Sequence, residues 1–204
     1  MDMTTAVKVR ERRLGAGELA AAAMLSALSF LLAYMEIPVP LSPAFARFDL
    51  SDFPALAGAF LLGPMAGLAI EFIKNILQMF STSTAGIGEL ANFLIGAGYV
   101  CSAGAVFKLY KGKHPAWTAC VISSFIMGIV AAAANYFLLL PAFEQFMPME
   151  QLISSFGEFI PFINTKLDVV LYNAFPFNVL KGLVIGAVTV QILKRAPQMR
   201  KETV

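Results

Sequence analysis

The sequence has few of the residues on which water-soluble proteins and common enzymes depend. Only 14% of its 204 residues are charged, and it contains two cysteines and one histidine. Cys101 and Cys120 stand in apolar runs without a CxxC spacing, and His114 lies beside a lysine in a basic turn. These residues give no support for a metal site, a disulfide framework or histidine-based catalysis. The sequence also lacks a GxxxxGK phosphate loop, an HExxH zinc motif and a GxSxG nucleophile motif.

Apolar residues dominate instead. Hydrophobic residues make up 58% of the chain, and the mean hydropathy is +0.74. A soluble domain of this length has no interior large enough to bury so much apolar surface, so we predict an all-α integral membrane protein. Since a spanning helix needs about 20 apolar residues, the chain has room for roughly six. The predicted spans are 15–36, 53–63, 65–81, 87–109, 115–140 and 168–194.

The positions of the basic residues predict the orientation of the chain. Most lysines and arginines fall in three short segments that six crossings would place on one side: Lys8, Arg10, Arg12, Arg13, Lys108, Lys111, Lys113, Lys194, Arg195, Arg200 and Lys201. The positive-inside rule assigns that side, with both termini, to the cytoplasm. The count of six requires the chain to reverse at Gly63-Pro64 rather than continue as one kinked helix.

We therefore expect one membrane domain over residues 1–204. Its parts are a cytoplasmic tail at 1–14, outer loops at 37–52 and 141–167, and a second cytoplasmic tail at 195–204. Both outer loops are rich in proline and aromatic residues, and the second could contain an amphipathic helix. They either anchor the protein at the membrane surface or cover an outward-facing pocket.

Several polar side chains lie at depths where hydrocarbon makes them expensive. Lys181 is near the middle of the sixth span, and Asn178 shares its helix face at i, i+3. The fifth span places Asn135 and Tyr136 in its outer half, and the fourth places Asn92 there. The amides and the ammonium group are typical of convergent ligands for a polar solute, although Asn92 could equally hold two helices together.

Two further patterns allow more than one interpretation. Glu71 and Lys74 are spaced as an intrahelical ion pair, but together with Glu89 they could also serve a self-sufficient proton-coupled carrier. In the first span, Ala23 and Ala27 belong to a series of small residues at four-residue spacing that lets another helix approach closely. That helix could belong to the same bundle or to another subunit.

Four segments in this order resemble a known family: "FDLSDFPALAGAFLLGPMAGLAIEFIKNIL", "TAGIGELANFLIGAGYV", "ANYFLLLP" and "NAFPFNVLKG". They are similar to the riboflavin-specific (RibU-type) substrate-binding S components of energy-coupling factor (ECF) transporters. The resemblance runs from about residue 17 to residue 195. It implies a six-helix protein of the bacterial cell membrane that captures riboflavin at the outer face.

The resemblance also implies partners and site residues. The partners would be a transmembrane coupling subunit, which Ala23 and Ala27 would contact, and two ABC ATPases that hydrolyse ATP. The chain itself would be neither an enzyme nor the carrier of a cofactor, with riboflavin as the transported ligand. Ligand contacts fall on Asn135, Asn178 and Lys181 and on the first outer loop around Leu41 to Phe48. Flat aromatic faces for the flavin ring could come from Phe45, Phe48, Tyr136 and Phe175.

Two functions remain as alternatives at this point. An S component for another vitamin, such as thiamine or pantothenate, would have the same fold with a different pocket. The proton-coupled carrier would need no ATPase partners. A membrane enzyme is disfavoured because no nucleophile–base pair is recognisable.

Overall fold

The computed structural model describes residues 15–38, 47–82 and 84–195, and these residues form a helical bundle. The helices are α1 (Ala16–Ala33), α2 (Asp52–Leu61), α3 (Pro64–Gln78), α4 (Ile87–Leu109), α5 (Pro115–Phe143), α6 (Met149–Gly157) and α7 (Lys166–Arg195). A 3₁₀ turn, Met79–Ser81, follows α3. Two strands of two residues each, β1 (Ile37–Pro38) and β2 (Arg47–Phe48), come between α1 and α2 in the sequence and pair antiparallel with each other.

Four of the helices, α1, α4, α5 and α7, are long and apolar enough to cross a membrane. The other two predicted spans correspond to α2, with 10 residues, and α3, with 15. At 1.5 Å per residue they reach about 15 Å and 22 Å, less than the roughly 30 Å hydrocarbon core of a bilayer. The prediction of a helical membrane protein is thus confirmed, and four of the described helices are long and apolar enough to span a bilayer.

The predicted chain reversal between α2 and α3 is present. Gly63 joins the two helices with φ of +108°, a conformation that residues with a side chain rarely adopt, and Pro64 starts α3. The helices then pack closely, because a Cβ placed on Gly67 would lie 2.7 Å from the Cβ of Ala59. The alternative of one kinked helix is wrong.

Helix α2 occupies the centre of the bundle and contacts α1, α3, α4 and α7. Every residue from 54 to 60 is buried. This agrees with its sequence, since a helix that is apolar on all sides has no face to present to water. The arrangement brings the N-terminal end of α2, with Asp52, into contact with the neighbouring long helices.

The two ends of the bundle differ in chemistry. One end has the α2–α3 turn, where Lys108 approaches Gly63, and the end of α7, where the Lys194 ammonium lies 5.8 Å from the ring centre of Trp117. The other end holds the polar residues Glu36, Asp49, Glu89 and Asn135. The predicted basic side and the predicted ligand side are therefore opposite ends of the bundle.

Candidate ligand cavity

A cavity of about 350 Å³ opens at the end of the bundle opposite the basic residues. This volume lies within the range of small-molecule sites. The end of α1, the start of α4, the last turns of α5 and the first turns of α7 surround it. Its described lining residues are Ala33, Glu36, Asp49, Gln78, Thr84, Gly88, Glu89, Ala91, Asn92, Ile95, Asn135, Leu139, Leu140, Phe143, Phe156, Asn173, Ala174, Phe177, Asn178 and Lys181.

The structure brings four of the predicted binding residues to this one cavity: Asn92, Asn135, Asn178 and Lys181. Asn92 also donates a hydrogen bond through Nδ2 to Oδ1 of Asn75, 3.1 Å away on α3. Both interpretations of Asn92, as a link between helices and as part of the cavity wall, therefore describe its position. Ligand contact by these four residues stays a prediction.

Two amides of the cavity are fixed by bonds to their own helices. Asn135 Nδ2 donates to the carbonyl oxygen of Ala131 at 2.8 Å, and Asn178 Nδ2 donates to that of Ala174 at 2.9 Å. A carboxamide carries two N–H donors and one acceptor oxygen. Each side chain is thus held in one orientation by a single N–H and has a further donor and an acceptor with which to bind a solute.

Both helices that carry these amides widen into a π-helix at the level of the cavity. The wide turns are Asn135–Leu139 in α5 and Val170–Ala174 in α7. The closing bond of each comes from the residue directly before a proline: Leu140 donates to Asn135, and Phe175 to Val170. Since proline has no N–H and its ring collides with the carbonyl four residues back, a wider turn removes the conflict. The Leu-Pro and Phe-Pro pairs thus account for the shape of the wall.

Lys181 forms two ion pairs. Its ammonium lies 3.0 Å from Oδ2 of Asp49, just before α2, and 3.0 Å from Oδ2 of Asp52, on the first turn of α2. The lysine side chain is 6% exposed. Two carboxylates, Asp49 before α2 and Asp52 on its first turn, therefore compensate the charge of Lys181. The sequence analysis did not single out either aspartate as a partner of this lysine, and contact between Lys181 and a ligand stays a prediction.

The ion pairs continue away from the cavity. Oδ1 of Asp52 accepts from the Lys74 ammonium at 2.7 Å, and Lys74 lies 2.7 Å from Oε2 of Glu71. The predicted ion pair between Glu71 and Lys74 is confirmed. A Cβ on Gly96 of α4 would lie 2.5 Å from Glu71 Oε2, so glycine makes room for the carboxylate there. We call Asp49, Asp52, Glu71, Lys74 and Lys181 the charge network.

Asp49 is the acidic member of the charge network that lines the cavity, beside Lys181. Burial is the largest single influence and would by itself raise the pKa of its carboxyl, but the ammonium groups of Lys181 and Lys74 and the hydrogen bond from Ser51 together outweigh it, and the pKa is lowered from its ordinary value of 3.8. The backbone N–H of Ser51 also donates to Asp49 Oδ1 at 2.8 Å. Asp49 is therefore a carboxylate at neutral pH and the electrostatic partner of Lys181.

The second outer segment covers one side of the cavity. Helix α6 forms where an amphipathic helix was predicted, and it buries Leu152 and Phe156 while exposing Glu150 and Gln151. Phe156 lines the cavity, as does Phe143 at the end of α5. This placement favours a cover over the pocket as the role of the segment, in addition to any surface anchoring.

The described aromatic residues that were suggested for the flavin ring do not line the cavity. Tyr136 packs with the apolar cluster around Leu140 and Val170, and the Lys166 ammonium lies 4.4 Å from its ring centre. Phe175 lies against Gly128 of α5. Phe48 is half-buried in β2, and Leu41 and Phe45 lie outside the described residues. Neither Tyr136, Phe175 nor Phe48 is among the described residues of the cavity wall, whereas Phe177, which the sequence did not single out, is.

Ala23 and Ala27 lie on the exposed face of α1. The same face carries Leu19, Met24 and Leu31, each more than 60% exposed. The buried side of α1 uses other small residues, Ala22, Ser26, Ser29 and Ala33. The two alanines are therefore on the side of the helix that faces away from its own bundle.

The long apolar helices and the polar cavity at one end of the bundle define a membrane protein with a small-molecule site. The family model for the ECF transporter substrate-specific component matches residues 18–193. The chain belongs to this family.

Characterised relatives are similar along most of the chain. It is 31% identical over 178 residues to the "Riboflavin transporter RibU" of Staphylococcus aureus (strain TCH60), covering 87% of this chain and 89% of the relative. It is 32% identical over 174 residues to the "Riboflavin transporter FmnP" of Bacillus subtilis (strain 168), covering 84% and 87%.

A solved structure shares the fold. The chain from "Structure and mechanism of the S component of a bacterial ECF transporter" superposes with a TM-score of 0.72 at 30% identity, covering 91% of this chain and 98% of that one. The family is a transporter component rather than an enzyme, and membership of it does not favour the proton-coupled carrier.

Proposed function

We propose that the chain is the riboflavin-capturing subunit of an ECF-type importer in the bacterial cell membrane. The convergence of four asparagine side chains and one ammonium group on a single cavity carries this proposal. The names of the two relatives, both riboflavin transporters, identify the vitamin. An S component for thiamine or pantothenate has no comparable support among them.

The chemistry of the cavity suits a flavin. The imide edge of an isoalloxazine alternates carbonyl acceptors with an N–H donor, and an asparagine amide presents the complementary acceptor and donor. Asn135 and Asn178 are held for such contacts by bonds to Ala131 and Ala174, and Lys181 can donate to a carbonyl oxygen. A site built around these groups rejects analogues that leave them unpaired.

The charge distribution supports an outward-facing cavity. The basic end of the bundle, with Lys108 and Lys194, faces the cytoplasm under the positive-inside rule. The cavity at the other end then opens to the cell exterior, and both termini are cytoplasmic. In this arrangement α2 and α3 form a short reversed pair within the membrane, so the chain has six helical segments in the bilayer.

Titration of the purified protein with riboflavin, followed by quenching of flavin fluorescence, tests the ligand. We expect saturable binding of riboflavin, and none of thiamine or pantothenate added at the same concentration. Binding of either of those vitamins in place of riboflavin would overturn the assignment of the ligand.

Transport requires the partner subunits under this proposal. The exposed alanines Ala23 and Ala27 on α1 would meet the transmembrane coupling subunit, and the two ABC ATPases would supply the energy. Small side chains allow the close helix approach that association in lipid favours.

Replacing both alanines by leucine should abolish riboflavin uptake by vesicles that contain the complete transporter. Riboflavin binding by the isolated variant in detergent should equal that of the wild type, because both residues are exposed and neither is among the described residues of the cavity wall. Val121→Phe and Ile129→Phe, at exposed positions on α5 rather than on this face of α1, control for added bulk on the surface of the bundle. Loss of ligand binding in the Ala23/Ala27 variant would mean that this face belongs to the protein's own packing.

A further inference from the structure

We infer that Asp49 and Asp52 are positioning residues that hold the Lys181 ammonium at the cavity wall. The inference rests on the proposed function, because it concerns how Lys181 meets the flavin. It assigns a role in ligand binding to two acidic residues, one in the loop before α2 and one in the first turn of α2.

The geometry of the pair is specific. A lysine ammonium has three N–H donors. One of them donates to Asp49 Oδ2 at 3.0 Å, and Asp52 Oδ2 lies 3.0 Å from the same ammonium as its second ion-pair partner. The ammonium keeps donor capacity for an acceptor in the cavity. Without the carboxylates, the four-carbon stem of lysine could adopt many rotamers. The two aspartates therefore fix the position of the Lys181 ammonium at the cavity wall.

Asp52 is in turn fixed from its other side. Its Oδ1 accepts from Lys74, and Lys74 also donates to Ser51 Oγ at 3.2 Å. The side chains of Asp52 and Lys74 are 1% and 0% exposed. Since Asp52 is not among the described residues of the cavity wall, its effect on a ligand has to pass through Lys181.

The two aspartates connect Lys181 to different parts of the fold. Asp52 belongs to the central helix α2, while Asp49 follows β2 and lines the cavity. Residue 181 lies 132 positions along the chain from residue 49. The ion pairs therefore join the first outer segment to α7 at the point where a solute would bind.

A double-mutant cycle on riboflavin affinity tests this inference, with Lys181→Met, Asp49→Asn and Asp52→Asn made singly and in pairs. We expect Lys181→Met to weaken binding about tenfold or more and each aspartate variant to weaken it about three- to tenfold. When combined with Lys181→Met, either aspartate variant should cause less than about a twofold further loss. The aspartates would then act only through the lysine.

The absorption spectrum of the bound flavin gives a readout that folding alone does not change. The visible band depends on hydrogen bonds to the flavin carbonyls, so Asp52→Asn and Lys181→Met should shift it in the same direction. Asp49→Glu, which restores a carboxylate, should recover both the band position and most of the affinity.

Glu89→Gln is the matched control. Glu89 is a carboxylate of the same cavity, and its Oε2 accepts from Thr82 and Thr84 rather than from Lys181. In the double variant with Lys181→Met, the fold-loss of affinity should equal the product of the losses caused by the two single changes. The control separates the loss of one negative charge from the loss of the lysine's partner.

Asp49→Asn keeps the experiment decisive if Asp52→Asn fails to fold, because the Asp49 side chain is 16% exposed and forms an ion pair with no second lysine in the described part of the chain. Independent, multiplicative effects of Asp49→Asn and Lys181→Met would overturn the inference while leaving the proposed function intact. A wild-type protein that does not bind riboflavin would overturn both.

Discussion

Helices α5 and α7 run side by side, but their two halves are built differently. In the half nearer the basic end, they touch through small residues: a Cβ on Gly182 would lie 2.7 Å from Ser124 Oγ, and one on Gly186 would lie 2.7 Å from the Cβ of Cys120. In the other half, each helix contains a π turn, and the side chains line the cavity. The same two helices thus provide a closely packed contact, which we call the seam, and the wall of the cavity.

The contrast shows how the protein can tolerate polar groups in an apolar setting. Along the seam, the hydroxyls of Ser123 and Ser124 donate to carbonyls four residues back in their own helix, so no partner from outside is needed. At the cavity, Lys181 depends on groups that come from another part of the chain. Mutations in the two halves should therefore have different consequences.

The largest expected effect is on folding, from a bulky residue in the seam. Gly182→Val should lower the thermal midpoint of the detergent-solubilised protein strongly or prevent its recovery as a monodisperse species. The Cβ of the added side chain would lie 3.1 Å from the Cα of Ser124. Overpacking of this kind costs about 1–3 kcal/mol or more.

Gly17→Val is the control for that experiment, because nothing lies within 4 Å of a Cβ on Gly17 at the start of α1. Its midpoint should stay close to that of the wild type. Equal midpoints for the two valine variants would contradict the close packing of α5 against α7.

The next effect concerns the binding wall. Asn135→Ala and Asn178→Ala should each weaken riboflavin binding about two- to tenfold, as expected for the loss of one or two hydrogen bonds. The thermal midpoint should change little, since the bond that holds each amide within the described part of the chain goes to its own helix. Fluorescence titration measures the affinity.

Asn164→Ala serves as the comparison for both amide variants. This asparagine is exposed in the loop before α7 and donates to the carbonyl of Phe162. Its replacement should leave the affinity unchanged. If the three alanine variants bind equally well, the two cavity amides have no part in the site.

The smallest effect is on the pH dependence of stability. The folded pKa of Asp49 lies below 3.8 because Lys181, Lys74 and the hydrogen bond from Ser51 together outweigh the opposing effect of burial. The ionised carboxylate therefore stabilises the fold above that pH, and the contribution is lost as the pH falls through 3.8 toward the folded pKa. Between about pH 5 and pH 3, the wild-type midpoint should fall more steeply than that of Asp49→Asn. Parallel curves would show that the pair adds nothing to stability.

Much of the architecture was readable from the sequence. The reversal at Gly63-Pro64 follows from local chemistry, and the ion pair between Glu71 and Lys74 follows from their spacing on one helix. The convergence of Asn135, Asn178 and Lys181 could be predicted because hydrocarbon penalises polar groups that do not face a common interior. Each of these conclusions depends on neighbours in sequence or on a general property of the membrane.

What sequence reasoning missed depends on tertiary contacts. Asp49 was assigned to an outer loop, and only the fold shows that it meets Lys181. The short lengths of α2 and α3 are visible in the sequence, and how far each of them crosses the bilayer stays a prediction from the charge placement. The π turns left no periodic signal, although the prolines at 141 and 176 were available as a clue.

Each π turn adds one residue to its helix without adding a full turn. One extra residue rotates everything beyond it by about 100° around the helix axis. In α5, Leu140 and Phe143 lie beyond the turn, so their direction into the cavity is set separately from the packing of Ser124 against Gly182. In α7, Asn178 and Lys181 lie on the same side of the turn as Gly182, so the close packing of α7 against α5 fixes their direction. Substitutions in the last turn of α5 can then alter which solute fits while the amide and the ammonium group of α7 stay in place.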